Sequence, residues 1–152
     1  GQAVFKIAVL GIAGSATRAL ERAGLGVNDV DIVIPHQANG RIIESAARRL
    51  GVDSERVFVN IGQLGNTASA SIPMAISDAV DSGRVNPGDV VVLTAFGGGV
   101  TWGSIVMQWG DRTKPVGTHE GELPPTDATV FDLLESNLDF YAPLHADEPP
   151  AT

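Results

Sequence analysis

The chain has 152 residues, 43% of them hydrophobic and 18% charged, which is enough for one domain with a real core. Its formal charge of −8 is uneven: residues 1–110 hold nine acids and eight Lys/Arg, whereas residues 111–152 hold nine acids and two, so the acidity belongs to the tail and no broad basic face for nucleic acid remains. No cysteine is present, which excludes disulfides and a cysteine nucleophile supplied by this chain; no apolar run approaches the ~18 residues of a membrane span, and a cytoplasmic setting is expected.

Gly1 to Leu10 has neither a basic n-region nor a cleavage motif, so no signal peptide is expected. The first residue is Gly rather than Met, which fits a fragment or a processed subunit. Eighteen glycines and few aromatics suggest tightly packed α/β structure with close backbone approaches.

In chain order, Phe5 to Leu10 reads as a short buried strand. Ser15 to Ala23 has helical spacing, with Ala16, Ala19, Leu20 and Ala23 on one face and Gly24 as the stop. Asp31 to Pro35 reads as a second apolar strand. Asn39 to Leu50 is amphipathic: Ile42, Ile43, Ala46, Ala47 and Leu50 oppose Arg41, Glu44, Arg48 and Arg49, and Gly51 is the expected C-terminal stop. Val57 to Val59 reads as a short strand and Gly62 to Gly65 as a turn. Thr67 to Val80 reads as helical, but Pro73 predicts that regular helix begins late, between Ser69 and Ile72. Asn86 to Asp89 is a turn. Val90 to Phe96 is apolar on both faces and is predicted to be central in a sheet. Phe96 to Gly99 is a tight link to a last strand, Thr101 to Trp109, which is expected to pair as a hairpin.

Composition changes at Gly110, dividing the chain into residues 1–110 and an acidic tail, 111–152. Pro115, Gly117, Gly121, Pro124 and Pro125 make a linker. Thr126 to Leu138 is compatible with one short helix capped by Thr126 or Asp127, with Val130, Phe131, Leu134 and Leu138 on a shared face.

Three short segments carry the candidate chemistry. His36 follows an apolar strand and a proline, near a strand's C-terminal end, the edge where open α/β folds bind ligands. Taken alone it reads first as a loop or N-cap histidine. Asn66 stands at a turn entering a helix, where a lone Asn is ordinarily a cap or turn residue. Phe96-Gly97-Gly98-Gly99 reads either as a plain hairpin link or as a place where backbone N–H reaches a reacting oxygen. It is a poor phosphate loop, because no helix with Lys-Ser/Thr follows it.

Read together, Pro35-His36-Gln37-Ala38-Asn39-Gly40-Arg41-Ile42-Ile43, Gly65-Asn66-Thr67-Ala68-Ser69-Ala70-Ser71 and Ala95-Phe96-Gly97-Gly98-Gly99-Val100-Thr101-Trp102-Gly103 resemble the C-terminal half of a β-ketoacyl-acyl-carrier-protein synthase III. The opening Gly1-Gln2-Ala3-Val4-Phe5-Lys6 resembles that family's entry into its second half. The likeness covers about residues 1–110, with the tail expected to lie beyond the usual family end.

The resemblance implies an α/β architecture, the second half of a thiolase-like fold, with a mixed central sheet flanked by helices. It implies an acyltransferase of fatty acid biosynthesis with a Cys-His-Asn site. A cysteine takes an acyl group from acyl-CoA, malonyl-acyl-carrier protein loses CO₂, and the carbanion attacks the acyl-enzyme. His36 and Asn66 then correspond to donors on the malonyl thioester oxygen, His36 as a neutral N–H with its second nitrogen held by another group. Gly98 corresponds to the oxyanion-hole donor for the acyl-cysteine, and Phe96 borders the site. Gly1, Phe5, Ala38 and Asn39 match the pantetheine channel. Arg41 matches the basic residue that docks the acidic carrier protein, and Arg48 and Arg49 extend the same helix.

No metal and no cofactor are implied, only acyl-CoA and malonyl-acyl-carrier protein as substrates. The implied partners are an N-terminal half bearing the cysteine, the carrier protein and a second copy in a homodimer; neither nucleic acid nor membrane is expected. Two alternatives stand beside this reading: an acyltransferase using the fold on another acceptor, and a non-catalytic structural subunit. The acidic tail is compatible with folding back over Arg41, Arg48 and Arg49, or with a solubilising tail.

Overall fold

A computed structural model describes residues 2–114, 127–129, 132 and 135. The chain divides into two compact units, Gly1–Val116 and Gly117–Thr152.

In the first unit, helix α1 spans Gln2–Arg22. The expected strand at Phe5 to Leu10 is therefore the first half of this helix. A short apolar run fits a buried strand or a buried helix equally, and tertiary packing decides. Here Ala8, Ile12, Ala16 and Leu20 are buried at helical spacing. Gly11 does not break the helix because Trp102 fills its place: a Cβ there would lie 2.8 Å from Trp102 Cδ2. Gly24 (φ 71°) ends the helix, with the Leu25 N–H returning to the Leu20 carbonyl at 3.0 Å.

By length and composition α1 is also apolar enough to cross a membrane, with an 18-residue window of mean hydropathy 1.5. This corrects the expectation that no such run exists. The small residues that raise its hydropathy form its packed face, where Ala8 and Ala16 have no exposure.

Strand β1 (Ile32–Pro35) is buried throughout. Helix α2 (Gly40–Leu50) starts at Asn39, whose side chain accepts from the Arg41 N–H, and stops at Gly51 (φ 84°). Val57 to Val59 is not a strand. Only Val57 bridges, to Val33, and the Phe58 N–H bonds the Val33 carbonyl before the chain turns into helix α3 (Ile61–Leu64). That short helix stands where a turn is expected. Helix α4 (Ser71–Asp81) follows a 3₁₀ turn at Ala68–Ala70, so Pro73 falls in its first turn, where a missing N–H costs nothing.

Strands β2 (Val90–Gly97) and β3 (Thr101–Gln108) form the hairpin, from Val90↔Gln108 to Gly97↔Thr101. β1 joins β2 in parallel, Ile32↔Val91 to Pro35↔Thr94, which makes β2 central in the order β1-β2-β3.

Alternation along the strands separates two cores. Val33 and Val92 pack with Ala16 and Leu20 of α1 and Ile43 of α2. Ile32, Ile34, Val91 and Leu93 pack with Ala75 and Ala79 of α4. Burial on both faces explains why β1 and β2 read as continuous apolar runs. A chain of hydroxyls ties α1 to the hairpin: Ser15 Oγ lies 2.8 Å from Ser104 Oγ, which donates to Thr94 Oγ1 at 2.8 Å.

In the second unit, Asp132 and Glu135 are helical, and Thr129 caps this segment. Its N–H and Oγ1 reach Asp132 Oδ2 at 2.6 and 2.7 Å, and its Oγ1 accepts from the Asp132 N–H. The cap is thus Thr129, whose hydroxyl meets a carboxylate three residues on, and not Asp127, which precedes the helical residues. Thr126, Val130, Phe131, Leu134 and Leu138 lie outside the described residues.

Candidate active site

β1 and β2 are parallel, so the residues that follow each emerge on one edge of the sheet. His36 follows β1 directly, its N–H bonded to the Thr94 carbonyl at 2.7 Å, and Gly98 follows β2. Asn66 arrives from the loop ahead of α4. All three line one cleft of about 510 Å³, together with Ser71, Phe96 and Trp102.

His36 is half-buried, and desolvation holds its pKa below the usual 6.5, so the ring is neutral at pH 7. Its Nδ1 lies 2.5 Å from Ser71 Oγ. Ser71, the first residue of α4, is 2% exposed, and its oxygen also accepts the Gln37 N–H at 3.3 Å.

Gln37 is 1% exposed. Its Nε2 donates to the carbonyls of Pro35 (2.8 Å) and Phe58 (3.2 Å), and its Oε1 accepts the N–H groups of Asn60 (3.0 Å) and Ile61 (3.1 Å). One amide therefore locks the end of β1 to the start of α3 and fixes the backbone on which His36 stands. Asn60 in turn donates to Asp78 Oδ2 at 2.7 Å. The sequence motifs contain Gln37 and Ser71 but do not by themselves assign these supporting roles; the one signal they carry is a polar residue inside an otherwise apolar or small run.

Asn66 is exposed, and its Oδ1 accepts the Ala68 N–H at 3.0 Å, which leaves Nδ2 unengaged among the described residues. This turn puts Ala68 at φ 50°, in the left-handed region that a side chain disfavours. At Gly98 nothing comes within 4 Å of where a Cβ would stand, so the backbone is open to approach.

Of the residues matched to a pantetheine channel, Phe5 and Asn39 border a second hollow of about 350 Å³ with Gln2 and Arg41. Phe96, matched to the border of the site, lines the first cleft. Ala38 is half-buried beside His36, its N–H bonded to the His36 carbonyl, and is not among the residues lining either hollow. Gly1 lies outside the described residues. Arg41, Arg48 and Arg49 are exposed on α2, with Arg48 3.6 Å from Glu44. Among the described residues no three His, Asp or Glu side chains converge to hold a metal ion.

The profile of the family described as 3-oxoacyl-[acyl-carrier-protein (ACP)] synthase III C terminal matches residues 20–109. The β-ketoacyl-[acyl-carrier-protein] synthase III of Desulfitobacterium hafniense (strain DCB-2) is 51% identical over 112 residues, covering 74% of this chain and 34% of that protein. The β-ketoacyl-[acyl-carrier-protein] synthase III 2 of Vibrio cholerae is 40% identical over 139 residues, covering 91% of this chain and 38% of that protein. The family profile ends at residue 109, near the expected family end, whereas the 139-residue match to the Vibrio cholerae protein extends into the tail.

Among solved structures, the synthase III of Thermus thermophilus superposes with a TM-score of 0.71 at 48% identity, covering 74% of this chain and 35% of that one. The chain thus spans little more than a third of the length of these relatives, and its mixed α/β layers are those of the thiolase-like fold. On the motifs, the fold and these matches together, the chain belongs to the 3-oxoacyl-[acyl-carrier-protein] synthase III family, in its C-terminal half.

Proposed function

We propose that this chain supplies the decarboxylation and condensation side of a β-ketoacyl-acyl-carrier-protein synthase III, with the cysteine nucleophile carried by a part outside these 152 residues. The observation that carries the reading is the convergence of His36, Asn66 and Gly98 on one cleft at the C-terminal edge of parallel strands. His36 and Asn66 each offer an N–H to a single oxygen. When a malonyl thioester loses CO₂, the C–CO₂ bonding pair passes into an enolate, and two donors stabilise charge that appears only then. No base is needed, since CO₂ rather than a proton departs. The carbanion carbon then bonds to the acyl carbonyl of the acyl-cysteine. Its tetrahedral oxyanion meets the Gly98 N–H, and the thiolate leaves as the ketone reforms.

Arg41, Arg48 and Arg49 form the docking face for the acidic carrier protein, with Arg41 beside the hollow bordered by Phe5 and Asn39. The test is His36→Ala in the complete enzyme, with acyl transfer from acyl-CoA and carbon–carbon bond formation assayed separately. Condensation is expected to fall at least ~100-fold while acyl transfer to cysteine continues. Retained condensation would remove His36 from the chemistry.

A further inference from the structure

We infer that Ser71 is a positioning residue that dictates which nitrogen of His36 carries the proton. This rests on the donor reading of His36 given above and extends it to a residue that does not itself touch substrate.

The argument is a count of donors and acceptors. Ser71 Oγ has one proton and two lone pairs. One lone pair accepts the Gln37 N–H. His36 Nδ1 lies 2.5 Å away, in a bond that runs either way in principle. If Nδ1 carried the proton, the serine would accept twice and its own O–H would need another acceptor. Among the described residues Ser71 Oγ has no third partner, and at 2% exposure it has little access to water. A buried hydroxyl proton with nowhere to go is costly. The arrangement that satisfies every group has the Ser71 hydroxyl donating to Nδ1, which leaves the single imidazole proton on Nε2.

Location makes Ser71 suited to this. It is the first residue of α4 but not its cap, since Ala70 holds that position, so its hydroxyl is not spent on the helix's own N–H groups. Pro73 holds the start of α4 at this register. Gln37, pinned by four hydrogen bonds, presents the N–H that consumes the competing lone pair. The tautomer of His36 is therefore set by the backbone of its neighbour acting through a serine.

The test uses the complete enzyme labelled with ¹⁵N-histidine, with His36 resonances assigned by their loss in His36→Gln. At a pH where the ring is neutral, one tautomer is expected, protonated at Nε2; a ring protonated at Nδ1 overturns the inference. Ser71→Ala is expected to lower kcat for condensation about ten-fold with KM little changed, and Ser71→Thr, which keeps the hydroxyl, to restore it. In the His36→Gln background Ser71→Ala should cost nothing further. An equal loss there would mean that Ser71 acts on folding and not through His36. If His36→Gln itself keeps full condensation activity, the donor reading fails, while the ¹⁵N spectrum still decides the tautomer.

Discussion

Trp102 of β3 rests against the bare backbone of α1 at Gly11, so closely that a methyl group there would stand 2.8 Å from its Cδ2 and 2.9 Å from its Cγ. Gly11→Ala is therefore expected to destabilise the protein by about 1–3 kcal/mol, because overpacking outweighs the gain in helix propensity. Gly14→Ala is the control: its nearest neighbour is the flexible end of Arg18 at 3.4 Å, and it should be neutral or stabilising by up to ~1 kcal/mol. Thermal denaturation of the pair, with tryptophan fluorescence to follow Trp102, separates the two. Equal effects at both sites would refute the contact.

Replacing Gln37 removes four hydrogen bonds at a site with 1% exposure. Gln37→Leu is expected to cost at least ~2 kcal/mol, since backbone groups of Pro35, Phe58, Asn60 and Ile61 lose their partner. Gln37→Glu keeps the two acceptor bonds but turns a carboxylate toward two carbonyls. It should be least stable at neutral pH and recover as acid protonates it. Urea midpoints across pH 4–7 measure this.

The lowered pKa of His36 has a definite sign in stability. In the unfolded chain the ring titrates near 6.5; in the fold burial holds it lower. Between those values the unfolded state binds more protons. Stability conferred by neutral His36 is thus fully present above pH 6.5 and is lost as pH falls through the folded value. Urea unfolding of the native protein against His36→Gln should show that slope only in the former.

Asn66 offers a near-isosteric test of the donor role. Asn66→Asp keeps the oxygen that accepts the Ala68 N–H and removes the Nδ2 donor. Condensation is expected to fall ~100- to 1,000-fold, with little change in Tm. A variant that condenses normally would exclude Asn66 as a donor.

Arg41→Glu is expected to raise KM for carrier protein more than Arg48→Glu, because Arg41 borders the hollow whereas Arg48 is already shared with Glu44. Both effects should shrink at high ionic strength. Initial-rate kinetics at two salt concentrations supply the comparison.

α2 and the hairpin are legible in the sequence because each carries its own punctuation: Asn39 and Gly51 bracket α2, and the glycines after Phe96 close the hairpin. Phe5 to Leu10 is misread as a strand because a run of six residues is too short to show a helical period, and only Ala8 among them is buried. Val57 to Val59 has strand composition but only one bridged residue, since Asn60 is drawn down to Gln37. Thr129 escapes notice as a cap because its partner, Asp132, reads as one more tail acid. The motifs single out His36, Asn66 and Gly98, which the structure brings to one cleft. Gln37 and Ser71 are not assigned roles, because those roles depend on distances between segments far apart in the chain.

Thr94 sits where two layers of the molecule meet. Its carbonyl holds the His36 N–H, and its hydroxyl ends the chain of contacts that begins at Ser15 in α1. The edge of the sheet that carries the cleft and the helix packed on it therefore share one strand residue as a common anchor. With Trp102, which lies against Gly11 and lines the cleft, Thr94 makes α1 part of the frame that holds His36 in place.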